Sequence, residues 1–165
     1  MSHGERDESD QRKAGPGQFE LGTDGPSVIL VGVDDTVTSL RAAAYAAGLA
    51  RRQRARLVVV YVAPISSIAA VGGAGASVMV AEAQAHEQLA SELRARFEAA
   101  AGDLGISATF VAAHGDPYHE IKRVADETRA DAIVVGASAQ AGHRLVGSLA
   151  VRLVRAGKWP VTVVP

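Results

Sequence analysis

Five short apolar runs, rich in β-branched residues, recur along this chain. Val28-Ile29-Leu30-Val31-Gly32-Val33, Leu57-Val58-Val59-Val60-Tyr61-Val62 and Ala132-Ile133-Val134-Val135 carry almost no polar side chain. Ile106–Ala113 is a weaker version, and Val161-Thr162-Val163-Val164 is the last. A strand with one wet face alternates apolar and polar residues. A strand apolar throughout is covered on both faces, as in a parallel sheet with helices on each side. Between the strands the pattern shifts to helical spacing. Thr38–Arg54 opens on Thr/Ser capping candidates and carries Leu40, Ala44 and Ala47. Ser77–Ala101 draws one stripe with Leu89, Leu93 and Phe97, and Gly102 and Gly105 are expected to stop it. Pro117–Arg129 starts with a first-turn proline. Ser148–Ala156 has Leu149 and Leu153 in register, with Gly157 as its C-cap. The pattern predicts β-α-β-α-β-α-β-α-β with right-handed crossovers.

Two stretches fall outside it. Residues 1–26 mix glycine, proline and alternating charges, and cannot bury enough apolar surface to offset the entropy of ordering; a disordered tail is expected, with Phe19 and Leu21 able to dock. Ala63–Ala76, with Gly72, Gly73 and Gly75, is expected to form a mobile flap.

Composition narrows the function classes. The chain has 165 residues, enough for one domain with a full core, and 48% of them are apolar against 21% charged. Its net charge is −1 with both signs interleaved, so neither nucleic acid nor a membrane surface is expected as partner. The absence of cysteine excludes disulfides, thiolate-held metals and a thiol nucleophile. Met1–Lys13 is polar with no hydrophobic h-region, so no secretory signal is expected and the expected location is cytoplasmic. The five histidines lack the spacing of the usual metal motifs, and no G-x-S-x-G elbow or Ser-His-Asp arrangement is legible; no catalytic residue is expected.

Doubly wound sheets place ligands at the carboxyl ends of their strands. Three segments lie there. Gly136–Ser148 runs from a buried strand to a helix N-terminus, where free N–H groups attract anions and Ser148 either caps the helix or offers its hydroxyl to a phosphate. It is neither a P-loop nor a GxGxxG fingerprint. Asp34, just past the first strand, either accepts hydrogen bonds from a ribose or an adenine amino group, or forms an Asx turn into Thr36–Ser39. His114-Gly115-Asp116-Pro117 reads as a helix start with Asp116 as cap.

Taken in order, these segments resemble the universal stress protein family over about Ser27–Pro165. Ile29-Leu30-Val31-Gly32-Val33-Asp34 is similar to that family's opening strand, and Gly115-Asp116-Pro117 to its third-strand turn. Val134-Val135-Gly136 through Gly147-Ser148, followed by Pro160-Val161-Thr162-Val163-Val164, is similar to its C-terminal signature. The resemblance implies a doubly wound α/β fold of the adenine-nucleotide α-hydrolase type: a five-stranded parallel sheet in the order 3-2-1-4-5 with helices on both faces. It also implies a homodimer paired through the terminal strand, residues 160–165, and a stress-response role without enzymatic turnover, weak ATP hydrolysis aside. The implied ligand is ATP or another adenine nucleotide, with or without Mg. The implied site comprises Gly32, Val33, Asp34, Val62, Val135, Gly136, Arg144, Gly147, Ser148 and Leu149.

ATP-binding members carry Gly, two residues, Gly, nine residues, then Gly-Ser/Thr. Here Gly136, Gly147 and Ser148 match, but Ala139 replaces the middle glycine, and seven residues, Gln140–Val146, stand where the pattern has nine. A Cβ at Ala139 restricts close approach, while Arg144 could serve as a phosphate donor. A second reading is therefore a regulatory module of the same fold that binds no nucleotide. A third, an adenylating or ATP pyrophosphatase-type enzyme on a related fold, would need a second domain and a compact catalytic set.

Overall fold

The computed structural model describes residues 25–65, 72–138 and 147–165. Strands β1 (Val28–Val33), β2 (Arg56–Ala63), β3 (Ala108–His114), β4 (Ala132–Gly136) and β5 (Val161–Val164) alternate with helices α1 (Val37–Gln53), α2 (Gly72–Leu104), α3 (Pro117–Thr128) and α4 (Ser148–Ala156). The sheet is parallel throughout, in the order β3-β2-β1-β4-β5. This is the doubly wound architecture and the strand order expected.

Side chains alternate across each strand, so each strand feeds two separate cores. Ile29, Val31, Leu57, Val59 and Val134 pack with Ala42, Ala43 and Ala46 of α1 and Leu93 of α2. Leu30, Val58, Val60, Ile133 and Val135 pack with Ile121 and Val124 of α3 and Leu153 of α4. Ile29, Leu30 and Val31 in sequence are all fully buried. That is why β1 needs an unbroken apolar run: neither face meets water.

The helix ends follow their local chemistry. Thr36 caps α1 by accepting from the Ser39 N–H at 3.2 Å, and Asp116 caps α3 by accepting from the His119 N–H at 3.1 Å. Gly157 closes α4 in the left-handed region at φ 62°. Three expectations are corrected. Gly102 lies inside α2, which runs on to Leu104 before Gly105 ends it at φ 62°. Glycine-rich sequence also does not keep 63–76 as one flap, since Ala63 completes β2 and α2 begins at Gly72; residues 66–71 lie outside the described residues. The weak third strand begins at Ala108, because Ile106 is still engaged with the Ala101 carbonyl at the helix end. The expected tail lies outside the described residues up to residue 24, including Phe19 and Leu21.

One tie across the sheet has no local signal. Asp131, at the entry to β4, accepts with Oδ2 from the backbone N–H groups of Ser27 at 2.8 Å and Val28 at 2.9 Å. It holds the start of β1 and the residue before it to a point about a hundred residues later in the chain. Asp131→Ala is expected to cost about 1–2 kcal/mol through two charge-assisted bonds at a partly wet site, read as a lower denaturation midpoint at unchanged m-value. An unmoved midpoint would show that water replaces both bonds without loss.

Candidate functional site

In the strand order 3-2-1-4-5, β1 sends its chain to α1 on one face while β4 sends its chain to α4 on the other. The two connections diverge and leave a crevice at the carboxyl ends of β1 and β4. A cavity of about 480 Å³ occupies it, within the range of small-molecule sites. Val33, Val60, Val62, Ile121 and Val135 supply apolar lining, and Asp34, Thr36, Thr38, Ser39, Ser138 and Ser148 supply polar lining.

The floor is open because Gly32 lacks a side chain. An added Cβ there would stand 3.0 Å from Ile121 Cδ1 and 3.6 Å from Val135 Cγ1, in the gap between β1, β4 and α3. The cavity thus offers branched apolar side chains on its walls together with polar groups.

Two helix N-termini line the same cavity, through Thr36, Thr38 and Ser39 of α1 and Gly147, Ser148, Leu149 and Ala150 of α4. Neither first turn holds an acidic residue. Their capping differs. Gly147, not Ser148, is the N-cap of α4, and having no side chain it makes no cap bond of its own. Of the two roles open to Ser148, capping is thus excluded, and its hydroxyl lies on the first helical residue beside the cavity. The N–H groups at a helix start favour a negative charge by about 0.3–1 kcal/mol.

Asp34 does form the Asx turn. Its Oδ1 accepts from the Thr36 N–H at 3.1 Å and the Thr36 hydroxyl at 2.6 Å, while its own N–H donates to Ser39 Oγ at 3.2 Å. Asp35 follows at φ 64°, a left-handed turn that aspartate tolerates better than most residues. Among the described residues nothing is bonded to Asp34 Oδ2. The carboxylate is therefore fixed by one oxygen and able to accept with the other.

Gly136 carries a packing role that the sequence does not reveal. A Cβ there would lie 2.6 Å from the Thr38 carbonyl carbon, 2.7 Å from Ser39 N and 2.8 Å from the Thr38 oxygen. The first turn of α1 crosses directly over it. At Gly147 the nearest atom to an added Cβ is Ser138 Cβ, at 2.8 Å.

On the opposite face, the Tyr61 hydroxyl and His86 Nδ1 are hydrogen-bonded at 2.9 Å, joining β2 to α2. Burial, followed by the nearby Asp34 and Asp35 carboxylates, pushes the Tyr61 hydroxyl pKa up, so it stays protonated at neutral pH.

Of the expected site residues, Gly32, Val33, Asp34, Val62, Val135, Gly136, Gly147, Ser148 and Leu149 all line the one cavity. Arg144 lies outside the described residues, as does Ala139. Thr38, Val60, Pro117 and Ile121 also line it without having been legible. Pro117 and Ile121 arrive from α3, which no local pattern links to β1. Among the described residues no cluster of three potential metal ligands occurs, and no helix is long and apolar enough to cross a membrane.

Comparison with known proteins follows the same outline. The model of the universal stress protein family matches residues 27–165. A universal stress protein of Methanocaldococcus jannaschii is 28% identical over 138 residues, covering 82% of this chain and 80% of the relative. Among solved structures, the universal stress protein UspA from Lactobacillus plantarum is 29% identical with a TM-score of 0.66, covering 84% of this chain and 97% of that one. A universal stress protein solved in complex with cAMP superposes with a TM-score of 0.61 at 22% identity, over 84% of this chain and 96% of its own.

Proposed function

This chain belongs to the universal stress protein family, and on that premise we propose that it is a cytoplasmic stress-response protein that binds an adenine nucleotide in the crevice between β1 and β4 and acts without turnover. The observation that carries the reading is the cavity itself, with a floor opened by Gly32 and two helix first turns without acidic residues at its walls. Val33 and Val62 bound the base, Asp34 Oδ2 accepts from the ribose hydroxyls or the adenine amino group, and Gly147, Ser148 and the first turn of α4 meet the phosphates. The cAMP complex of a fold relative supports the ligand class.

The protein pairs with a second copy through β5. This strand is one edge of the sheet, its four residues are each half-buried, and an open apolar edge is an association hazard that pairing removes. Arg41 of α1 donates to the Pro165 carbonyl at 3.5 Å, and Val37 and Tyr45, one turn to either side of Arg41, are exposed beside it.

Calorimetric titration of the full chain with ATP, AMP and adenosine is expected to show saturable binding of all three, with sedimentation velocity returning a dimer. Ala139 and the seven-residue stretch Gln140–Val146 favour the alternative, a module of the same fold that binds no nucleotide. Absence of heat and of thermal shift at millimolar ligand, with the protein folded, would decide for it.

A further inference from the structure

The described lining of the cavity holds a carboxylate and several hydroxyls but no lysine or arginine. A polyphosphate tail brings several negative charges, for which hydroxyls and backbone N–H groups provide no counter-charge. Among the described residues, one arginine is tied to a neighbour of the lining. Arg152 lies on α4 one turn beyond Ser148, and its Nη1 donates to Asp116 Oδ2 at 3.0 Å. Asp116 immediately precedes the cavity-lining Pro117. The guanidinium carbon of Arg152 rests 4.1 Å from the centroid of the Tyr118 ring.

We propose that Arg152 is the residue that ranks ligands by phosphate number, exchanging its partner Asp116 for the terminal phosphates of a nucleotide; this rests on the nucleotide reading of the cavity. Three observations make the exchange feasible. Direction comes first: helical side chains lean toward the N-terminus, so a long side chain at 152 extends toward the turn that holds Ser148. The second is the cost of release. The ion pair is exposed, with 43% of the Arg152 and 42% of the Asp116 side chain open to water, and water replaces what such a pair loses. The third is division of labour within Asp116. Its Oδ1 accepts from the His119 N–H at 3.1 Å and lies 3.2 Å from His119 Nδ1, while Oδ2 alone holds Arg152. Letting Arg152 go leaves the cap of α3 intact.

Asp116 also sets the threshold. The Arg152 hydrogen bond is the foremost cause holding its carboxyl below the usual carboxylate range, so at neutral pH the carboxylate is ionised. A single phosphate already brings up to about two charges against the carboxylate's one. A di- or triphosphate offers more charge and more oxygens to the guanidinium fork.

The test is a set of dissociation constants for adenosine, AMP, ADP and ATP, measured on the full chain and on Arg152→Gln, Asp116→Asn and the double variant. Asparagine at 116 keeps an N-cap oxygen and removes only the charge. Arg152→Gln is expected to weaken ATP about tenfold and adenosine by less than about twofold. Asp116→Asn is expected to tighten ATP several-fold where Arg152 is present, and to do little where it is absent, a coupling that the double-mutant cycle isolates. The proposal is overturned if Arg152→Gln weakens all four ligands alike, if Asp116→Asn weakens ATP, or if its effect is the same with and without Arg152. A series flattened by Arg144→Gln instead would assign the role to that residue. Binding with a series insensitive to Arg152 defeats this inference alone, whereas no binding of any ligand by the unmodified chain defeats the nucleotide reading with it.

Discussion

Gly136→Ala is expected to destabilise the protein by about 2–3 kcal/mol, the upper range for forcing atoms into a packed core, and to lower Tm by about 5–10 °C in a domain of this size. The three atoms that the new Cβ would meet, at 2.6, 2.7 and 2.8 Å, are all backbone of Thr38 and Ser39. Backbone cannot turn aside as a side chain does. Relief requires α1 to lift from β4, and α1 carries Ala42, Ala43 and Ala46 of one core. Gly102→Ala is the control, because a Cβ there meets nothing within 4 Å on a helix and should be neutral or slightly stabilising. A purely ligand-approach glycine at 136 would behave differently: Gly136→Ala would then melt like the parent and lose only binding. Differential scanning calorimetry of the two variants decides between these roles.

Gly32→Val is expected to do the reverse, sparing the fold and removing the ligand. A Cβ at this position stands 3.0 Å from Ile121 Cδ1, the far end of a side chain that can rotate, and valine suits a strand. A Tm within about 4 °C of the parent follows, equivalent to roughly 1 kcal/mol. The two γ-carbons would occupy the floor between Val60, Ile121 and Val135, where the proposed nucleotide's base would lie. Affinity for adenosine and ATP should fall together by about tenfold to a hundredfold, or 1.4–2.7 kcal/mol. Equal loss across the phosphate series separates this variant from Arg152→Gln. Undiminished binding by a folded Gly32→Val protein would mean that the base lies elsewhere.

Much of the frame is legible along the chain because it depends on neighbours in sequence. Unbroken apolar runs such as Ile29-Leu30-Val31 announce strands buried on both faces, and Asp116-Pro117 announces a helix start, since the cap and the first turn are adjacent residues. The readings drift where neighbours say little. The glycine and alanine of 72–76 have no apolar stripe to mark a helix, yet α2 begins there. Ser148 looks like a cap by residue type, but the chain enters α4 one residue earlier and gives Gly147 that position. Asp34 carries two readings in sequence, ligand acceptor and Asx turn; its Oδ1 makes the turn bonds to Thr36, which leaves Oδ2 for the proposed ligand.

The sequence by itself determined the parallel doubly wound sheet, and with it the edge at which any site must lie, because strand burial and helix period are written in consecutive residues. Tertiary structure alone decided what stands at that edge. It set α1 across Gly136 and left the floor at Gly32 open against Ile121. It also brought Asp131 to Ser27 and Val28, and Arg152 to Asp116 and Tyr118. Each of these depends on groups from 34 to 104 residues apart meeting within a few ångströms, and no local periodicity encodes which distant side chain, or which missing one, faces another once the sheet has closed.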